Sequence, residues 1–434
     1  MKRAWLIIGD IISFWVSFLA IIYIRFGGFS SEIAVEHIIP FLILCISWIL
    51  VFYLFGLYDI INIKPTIPHL KRFGLAILVA FTIGIILFYS VQIFGISPKT
   101  NLLLEVSGFS IISFLFRRLF YNIYAKQISK QTILVGKKDH LDELYNILNS
   151  NPQIGLSVIY YTQDINEALS KYSDIKNSIF IVDTESNKIS GEKILNIYKN
   201  KNEILNIAEA YEEYLYKIPV EYISTSWIVE NINIKKDIFY ALLTFIIDKI
   251  VALLILIVSS PVLVIAIVAR ILEDGRPVFY KQERVGINRK IFKLYKLRSM
   301  IVLSPDGSAE NGEAKWSTGQ DDPRITKLGK ILRKTHIDEI PQMINVIKGD
   351  ISLVGPRPER PEFVSQLEKS IPHYNLRHII RPGFTGWAQI KYHYAKTVLE
   401  SKEKLEYDLY YVKNKNIFID FGILLRTIQI IFTH

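Results

Sequence analysis

Residues 330–358 read KILRKTHIDEIPQMINVIKGDISLVGPRP, and this stretch places two adjacent carboxylates, Asp338 and Glu339 (the dyad), ahead of an apolar repeat. The repeat has the i, i+3, i+4, i+7 spacing of a helix with one buried face. Its members are Ile340, Met343, Ile344 and Ile347. Because proline is tolerated only in the first turn of a helix, Pro341 marks the helix start. Asp338 is therefore predicted at or next to the N-cap.

A helix start of this kind favours anions, since its N–H groups are unpaired and the helix dipole is positive there. The pattern predicts a carboxylate nucleophile, Asp338, and a second carboxylate, Glu339, at a phosphate-binding helix start. A plainer interpretation stays open at this point. Asp338 would then only cap the helix, and Glu339 would be a solvated acid of the first turn.

The composition indicates a membrane protein. The chain has 434 residues, enough for two or three domains, and half of it is hydrophobic. A net charge of +10 together with long apolar runs predicts a cationic cytoplasmic side, or binding to nucleotides and lipid phosphates. We expect no nucleic-acid partner. Cys45 is the sole cysteine of the sequence, which excludes an intrachain disulfide and favours a reducing compartment.

Four apolar stretches occupy the N-terminal part, and each approaches the roughly 20 residues that a membrane-spanning helix needs. They cover 4–23, 38–57, 73–94 and 102–124. Basic residues precede the first stretch, lie between the second and third, and follow the fourth, whereas the loop 26–37 carries two glutamates. The positive-inside rule predicts a four-helix transmembrane domain over 1–126, with the rest of the chain in the cytoplasm. Buried core helices are the alternative.

The segment 127–235 is predicted to be a Rossmann-like cytoplasmic α/β domain. Short apolar runs at 132–135, 156–161, 178–182 and 204–208 alternate with polar, helix-like segments. A dinucleotide site needs three glycines near the phosphates, but Gly136 alone remains of that fingerprint after the first strand. We therefore expect a structural or regulatory domain that binds no cofactor.

A long apolar run at 241–272 is interrupted near its middle by Ser260 and Pro261. At 1.5 Å per residue such a helix would extend about 48 Å, more than the roughly 30 Å of a bilayer core. Both flanks are basic, so a straight span would put a cationic domain outside, against the positive-inside rule. We predict a re-entrant membrane helix, broken at Ser260 and Pro261, that enters and leaves on the cytoplasmic face. An ordinary kinked transmembrane helix is the alternative.

The predicted catalytic domain, 236–434, begins with this helix and continues with a cationic segment. Residues 276–300 contain eight Lys and Arg residues against one acid, alternating with apolar and aromatic side chains. This alternation predicts a strand or ribbon that binds anionic lipid or grips substrate phosphates. Gly355-Pro356-Arg357-Pro358 holds Arg357 on a rigid turn that suits a phosphate or a uracil carbonyl, unless it is a plain surface turn.

Four long motifs mark the last 200 residues. They are PVFYKQERVG (277–286), FKLYKLRSM (292–300), DPRITKLGKILRKTHIDEIPQMINVIKGDISLVGPRPE (322–359) and RHIIRPGFTGWAQI (377–390). In this order and spacing they resemble the bacterial sugar transferase family, the polyprenyl-phosphate glycosyl-1-phosphate transferases. The whole layout is similar to that of the larger members: a membrane helical bundle, a Rossmann-like α/β domain, and a monotopic α/β catalytic domain with a re-entrant helix. Such proteins initiate exopolysaccharide, capsule or O-antigen synthesis.

The resemblance implies transfer of a sugar 1-phosphate from a UDP-sugar to undecaprenyl phosphate, with release of UMP and with Mg²⁺ as cofactor. By that match Asp338 forms a covalent phosphosugar intermediate and Glu339 binds the metal. The family's break at a Ser-Pro pair matches Ser260 and Pro261. The substrate-binding residues would be Lys296, Arg298, Arg333 and Arg357, with Asp408 as a support of the site. The implied location is the bacterial inner membrane, with the catalytic domain on the cytoplasmic face in contact with membrane lipids; a homodimer is left open.

Two other functions remain open from the sequence. A membrane-anchored nucleotide-sugar dehydratase needs an intact glycine fingerprint and a Tyr-x-x-x-Lys pair, whose spacing occurs outside that context at Tyr172/Lys176 and Tyr392/Lys396. A non-catalytic scaffold of a polysaccharide assembly complex explains the spans but not the dyad, the Pro-Arg-Pro turn and the cationic strand together. The sugar also stays open, because 390–394 read IKYHY where the family often has a substrate-selecting arginine.

Overall fold

The structure of the protein is a computed structural model that describes residues 2–27, 31–90, 99–127, 129–172, 174–183, 190–232, 238–303, 309, 322–392 and 397–433. The chain divides into two compact units, Met1–Ile207 (unit 1) and Ala208–His434 (unit 2). Unit 1 contains the apolar N-terminal helices and a parallel sheet. Unit 2 contains the dyad.

The predicted apolar stretches of unit 1 fold as helices: α1 (Lys2–Phe26), α2 (Ser31–Leu54), α3 (Ile67–Ser90) and α4 (Lys99–Asn122). Large side chains fill the space between them, and Phe14, Trp48 and Phe109 are at most 1% exposed. Among the described helices, α1, the His37–Leu54 part of α2, Ile67–Tyr89 of α3 and one helix of unit 2 are long and apolar enough to cross a membrane. These helices indicate a membrane-bound protein.

Helix α4 is more polar than its neighbours because it carries Glu105 and two arginines. It packs along α1, where Arg117 forms an ion pair with Asp10. Ser113 Oγ also donates to Asp10, at 2.6 Å. Both members of the ion pair are at most 2% exposed, so their charges face protein rather than lipid. The membrane crossing of α4 stays a prediction.

Within the described residues, the second part of unit 1 holds a parallel sheet of four strands. They are β1 (Lys130–Val135), β2 (Leu156–Thr162), β3 (Ile179–Val182) and β4 (Glu203–Asn206), in the order β2–β1–β3–β4. The flanking helices are α5 (Lys138–Ser150), α6 (Ile165–Tyr172) and α7 (Gly191–Lys199). The strands lie at the predicted apolar runs. The central strands β1 and β3 are buried over most of their length, which explains why their sequences are apolar. The Rossmann-like character of this part stays a prediction.

Unit 2 has a mixed α/β architecture. After α8 (Ile207–Ala210), its described elements are α9 (Thr225–Asn231), α10 (Ile238–Asp274), β5 (Phe279–Val285), β6 (Ile291–Leu297), α11 (Lys327–Lys334), α12 (Gln342–Lys348), β7 (Ser352–Val354), α13 (Pro361–Ser370), β8 (Gly383–Thr385), α14 (Trp387–Lys391), α15 (Val398–Asn414) and α16 (Ile417–Thr433). Strands β5 and β6 form an antiparallel ribbon in the cationic segment, as its alternation predicted. Strand β7 pairs with β8 in parallel.

Residues 211–223, here called the strap, pack in the core of unit 2. Ile218, Val220 and Ile223 share an apolar cluster with α13 and α15. Lys217 is 4% exposed and forms an ion pair with Glu406 at 3.3 Å. The strap thus belongs to unit 2, because these side chains are buried against elements far along the sequence. The predicted domain boundary at 235 stays a prediction.

Candidate active site

The N-terminal half of α10 is fixed to the elements that flank the dyad. Asp248 is 6% exposed and accepts hydrogen bonds from Ser352 Oγ at 2.6 Å and from the backbone N–H of Leu353 at 3.1 Å. Lys249 Nζ donates to the carbonyl of Val346 at 2.7 Å. These bonds join α10 to β7 and α12.

The C-terminal end of α10 is tied to the same unit through Asp274 and Glu273. A carboxylate oxygen of Glu273 accepts the N–H of Leu328, in the first turn of α11, at 3.0 Å. Arg298 donates to Asp274 at 2.5 Å and to the carbonyl of Gly275 at 2.9 Å. Arg298 was predicted to bind substrate, but its hydrogen bonds lead to the end of α10 rather than to the dyad. The reason is that Asp274 holds the guanidinium in a buried position.

Pro261 lies inside α10, whose described backbone is helical from Ile238 to Asp274. Proline has no N–H to donate to the carbonyl of Ile257, and Ser260 Oγ donates to that carbonyl at 2.7 Å instead. The serine thus satisfies the backbone group that the proline frees, as expected for this pair. The predicted break and the re-entrant path stay predictions.

Asp338 and Glu339 lie in a 3₁₀ turn, Ile337–Glu339, between α11 and α12. The turn follows His336, whose φ of 55° is in the left-handed region. Helix α12 begins at Gln342, with Pro341 as its N-cap residue. The predicted position of Asp338 at or next to the N-cap is therefore wrong, because a 3₁₀ turn precedes the α-helix. The argument from the helix dipole falls with it.

Helix α12 also buries a different face from the predicted one. Met343 is 1% exposed, whereas Ile344 and Ile347 are 40% and 38% exposed. The cause is Asn345, a completely buried residue whose Oδ1 accepts the N–H of Tyr295 on β6 at 3.0 Å. Its Nδ2 donates to a carbonyl of the same strand at 2.8 Å. These bonds turn Asn345 toward β6 and the two isoleucines outward.

Glu339 is held by two cations. Its Oε1 accepts hydrogen bonds from Lys296 at 2.8 Å and from Arg357 at 2.7 Å. Burial alone would raise the pKa of Glu339, but the charges of Arg357 and Lys296 outweigh it and hold the pKa well below its usual range. Glu339 is therefore ionised at any pH near neutrality.

Asp338 has the opposite surroundings. It is 6% exposed, yet its carboxylate forms no hydrogen bond or ion pair with any residue that the structure describes. Burial and the negative charge of Glu339 raise the pKa of Asp338 to about 6, against the opposing charges of nearby cations. At neutral pH this side chain is an ionised, unpartnered carboxylate, which is what a carboxylate nucleophile requires.

Three of the four predicted cations lie around the dyad. Arg333, in the last turn of α11, donates through Nε to Ser299 Oγ at 2.9 Å. Its charge acts on Asp338 together with those of Lys296 and Arg357. The described residues thus assemble a compact anion-binding environment at the carboxylates.

The backbone of Arg357 is fixed by Arg377, a residue that was not predicted from the sequence. Arg377 is 3% exposed and donates to the Arg357 carbonyl at 2.9 Å, to Asp408 at 2.8 Å and to the Tyr374 hydroxyl at 2.7 Å. Asp408 is 1% exposed, and its bond to Arg377 links it indirectly to the backbone of Arg357. The signal for Arg377 was its position at the start of the RHIIRPGFTGWAQI motif.

The turn that carries Arg357 is packed closely against β8. A Cβ atom at Gly383 would lie 2.0 Å from the backbone nitrogen of Gly355. The N–H of Gly383 donates to the Pro356 carbonyl at 2.9 Å. A larger residue at either glycine would therefore push Arg357 away from Glu339.

A magnesium ion fits the dyad only in a form shared with substrate. The described residues contain no group of three or more His, Cys, Asp or Glu side chains that would hold a metal alone. Mg²⁺, however, commonly uses one or two carboxylates plus water and substrate phosphates. Both bonds to Glu339 use Oε1, so Oε2 accepts none from a described residue and would be the oxygen that holds the cation.

Residues 239–434 match the family model described as bacterial sugar transferase. Over 186 residues the chain is 41% identical to a UDP-N-acetylgalactosamine-undecaprenyl-phosphate N-acetylgalactosaminephosphotransferase of Aeromonas hydrophila, covering 43% of each chain. It is also 41% identical over 183 residues to a UDP-glucose:undecaprenyl-phosphate glucose-1-phosphate transferase of Escherichia coli K12, covering 42% of this chain and 38% of that one. The alignments thus span about two fifths of the length of these relatives.

A third relative is matched over most of its length. It is an uncharacterized sugar transferase of Bacillus subtilis, 37% identical over 182 residues that cover 42% of this chain and 83% of that protein. The dyad and its cations lie inside the segment 239–434, whereas the strap precedes it.

Proposed function

The chain belongs to the bacterial sugar transferase family, and on that premise we propose that it transfers a sugar 1-phosphate from a UDP-sugar to undecaprenyl phosphate and releases UMP. The observation that carries the proposal is Asp338, a buried carboxylate without a bonding partner among the described residues. Beside it, Glu339 is neutralised by two cations. Two relatives carry names that state transfers of this class to undecaprenyl phosphate.

In the first step Asp338 attacks the phosphorus that bears the sugar. A carboxylate oxygen forms the new P–O bond, the P–O bond to UMP breaks, and UMP leaves with the electron pair. The sugar phosphate is then linked covalently to Asp338. No proton transfer is needed, because the nucleophile is an anion and UMP is a phosphate whose second pKa is about 6.

In the second step an oxygen of undecaprenyl phosphate attacks the same phosphorus. The bond from phosphorus to Asp338 breaks, the carboxylate is regenerated, and the product is a sugar linked to the lipid through a diphosphate. Both steps reuse one phosphorus position. A site that is fixed in place and lined with cations therefore serves both.

The cations neutralise the phosphate charge during both transfers. Arg357 is 30% exposed, so N–H groups that do not bond Glu339 are able to meet a phosphate. Arg377 keeps the main chain of Arg357 in place, and Lys296 and Arg333 add charge from β6 and α11. Preorganised charge of this kind is the main source of catalysis in phosphoryl transfer.

Glu339 is the residue that would hold Mg²⁺, with the substrate diphosphate supplying further oxygen ligands. When bound there, the ion supplies charge neutralisation and orientation of the phosphates. Glu339 stays ionised for this role because Arg357 and Lys296 hold its pKa low.

We place the site at the cytoplasmic face of the inner membrane, with α10 as a re-entrant helix. Both halves of α10 pack on unit 2, through Val251 and Leu256 on one side of the proline and Leu263 and Ala266 on the other. Between these contacts Val258 is 76% exposed. A helix that crossed the bilayer would carry one end about 30 Å away from the unit. The contacts therefore favour a re-entrant path over a kinked transmembrane helix.

The alternatives have less support. A dehydratase would need a Tyr-x-x-x-Lys pair, and the spacing occurs twice. In the first pair, Tyr172 lies at the end of α6 and packs its ring on Tyr160, with centroids 4.8 Å apart. Lys396 of the second pair lies outside the described residues. A scaffold would not require an unpartnered Asp338. Its role would survive the loss of that carboxylate, which gives the decisive test.

The test is UMP release by the full chain in membranes with Mg²⁺, undecaprenyl phosphate and a panel of UDP-hexoses and UDP-N-acetylhexosamines. We expect release with one donor, loss of release on chelation, and loss in Asp338→Asn. Asp164→Asn, at an exposed position of unit 1, is the control and keeps full activity. Equal activity of Asp338→Asn and the parent protein, or no release with any donor, contradicts the proposal.

A further inference from the structure

The first residue of α12, Gln342, carries a buried amide nitrogen that has no hydrogen-bond partner among the residues that the structure describes. It is 2% exposed, and its Nε2 forms no hydrogen bond. The amide of Asn345, on the same short helix, is by contrast fully engaged with β6 and with Asp350. An unpaired buried amide nitrogen destabilises the fold, and native proteins contain few such groups. Because no described residue pairs with this nitrogen, we look for a partner outside the chain.

Gln342 lies on the same side of the chain as Asp338. The backbone between them is helical, with φ, ψ of −51°, −41° at Ile340 and −60°, −15° at Pro341. Residues four apart on such a backbone are neighbours, with Cβ atoms roughly 5–6 Å apart. Nevertheless, the Asp338 carboxylate and the Gln342 amide nitrogen bond neither each other nor any other described side chain.

This common face looks toward β6. Asn345, three residues after Gln342, bonds the N–H of Tyr295 on that strand. One residue further along β6, Lys296 pairs with Glu339. Gln342 is therefore placed between the contacts of Asn345 and those of the dyad, on the side where the cations lie.

We propose that Gln342 is a substrate-contacting residue whose amide N–H donates a hydrogen bond to a non-bridging oxygen of the phosphoryl group that Asp338 attacks. This inference rests on the proposed function and assigns one more group to the same site. A neutral donor fixes the orientation of the phosphoryl group without adding a cation beside the nucleophile. No bond of the amide is formed or broken in either transfer step.

The test variant is Gln342→Met, which has nearly the same length and no hydrogen-bonding group. We expect kcat for UMP release to fall about 100-fold, the usual effect of removing one preorganised donor. The thermal midpoint should stay equal or rise, since an unpaired buried amide is removed. Gln366→Met, at an exposed position of α13, is the control and changes neither quantity. A merely structural glutamine would give the reverse, a lower midpoint with little loss of kcat.

A second variant covers the case in which Gln342→Met does not fold. Gln342→Glu keeps the shape but replaces the donor with a carboxylate, so it should lose at least as much activity. If the parent protein releases UMP and a folded variant stays within threefold of it, the inference is overturned while the proposed function stands.

If the parent protein releases no UMP, the proposed function fails and binding decides the inference. The probe is UDP with Mg²⁺. Its binding is measured as the rise in the thermal midpoint of the full chain with increasing UDP concentration. A Kd about tenfold higher in Gln342→Met supports the phosphate contact, and an equal Kd overturns it.

Discussion

Two buried aspartates of unit 2 differ in what surrounds them. Asp408 is 1% exposed and pairs with Arg377 at 2.8 Å, and Arg377 in turn bonds the Arg357 carbonyl. Asp338 is 6% exposed and has no bonding partner among the described residues. The same residue type thus has a structural role where its charge is paired, and is left available for chemistry where it is not.

The difference has a physical cost that identifies the reactive member. A buried carboxylate without a partner destabilises the fold, so it is retained only where another requirement outweighs stability. The amide nitrogen of Gln342, four residues on, also has no partner among the described residues and marks the same place. Burial alone would not have separated Asp338 from Asp408.

The largest expected effect is on the activity of Asp338→Asn. An amide is not a nucleophile toward phosphorus, so UMP release should fall at least about a thousandfold. The measurement is a UMP-coupled assay on the full chain in membranes. Asp408→Asn, which removes the paired aspartate, should keep more activity than Asp338→Asn in any preparation that is still folded. Higher activity in Asp338→Asn than in folded Asp408→Asn would contradict the assignment of Asp338 as the reactive aspartate.

The second prediction concerns stability, where the order is inverted. Asp408→Asn leaves the Arg377 cation buried without its counter-charge, which should cost on the order of 3–5 kcal/mol of unfolding free energy. Asp338→Asn should instead stabilise the protein at pH 8 by roughly 1–3 kcal/mol. In the parent protein, the pKa of Asp338 is raised to about 6 on folding, so ionising this carboxyl destabilises the folded state. The destabilisation develops between pH 4 and 6 and is fully present at higher pH, and the variant removes it. Thermal melting of both variants at pH 5 and pH 8 checks it.

The third prediction compares two arginines that were both predicted to bind substrate. Arg357→Lys keeps the charge but loses the planar fork beside Glu339, so kcat/KM for the UDP-sugar should fall about 30-fold, or about 2 kcal/mol. Arg298→Lys, the matched variant, should keep kcat/KM within threefold, because its guanidinium bonds Asp274 and Gly275. Equal losses of kcat/KM in the two variants would indicate that Arg298 also binds substrate.

The smallest effect is on the pH profile. Asp338 must be ionised to attack, and its pKa is raised to about 6. Activity should therefore decline below pH 6, with kcat/KM at pH 5 about a tenth of the plateau. Glu339 does not titrate in this window, because Arg357 and Lys296 hold its pKa well below the usual range. A flat profile down to pH 5 would show that Asp338 is paired in the working enzyme.

The sequence was most informative where pattern is local. Alternation predicted the β5–β6 ribbon, apolar runs predicted strands β1 to β4, and the Ser260–Pro261 pair predicted the hydrogen bond to the freed carbonyl. Two of the residues singled out by the motif match, Lys296 and Arg357, bond Glu339 in the structure, and their role toward substrate stays a prediction. Each of these depends on neighbours in the chain or on a complete motif.

The errors arose where contacts with residues distant in the sequence determine the position of a side chain or a helix. The 3₁₀ turn ahead of α12 moved Asp338 away from the N-cap, and the bond of Asn345 to β6 rotated the helix against its apolar repeat. Asp274 drew Arg298 away from the dyad. The strap packs on α13 and α15 through Ile218 and its neighbours, which no periodicity within the strap indicates.

The most direct test of the central claim is to look for the covalent intermediate without an acceptor. The full chain is mixed with the UDP-sugar and Mg²⁺ in the absence of undecaprenyl phosphate, quenched, and digested with trypsin. We predict a burst of about one UMP per active site and a sugar-phosphate mass on the peptide THIDEIPQMINVIK, residues 335–348, at Asp338 and absent from Asp338→Asn. UMP release that occurs only when the acceptor is present, with no mass gain on this peptide, would contradict the account.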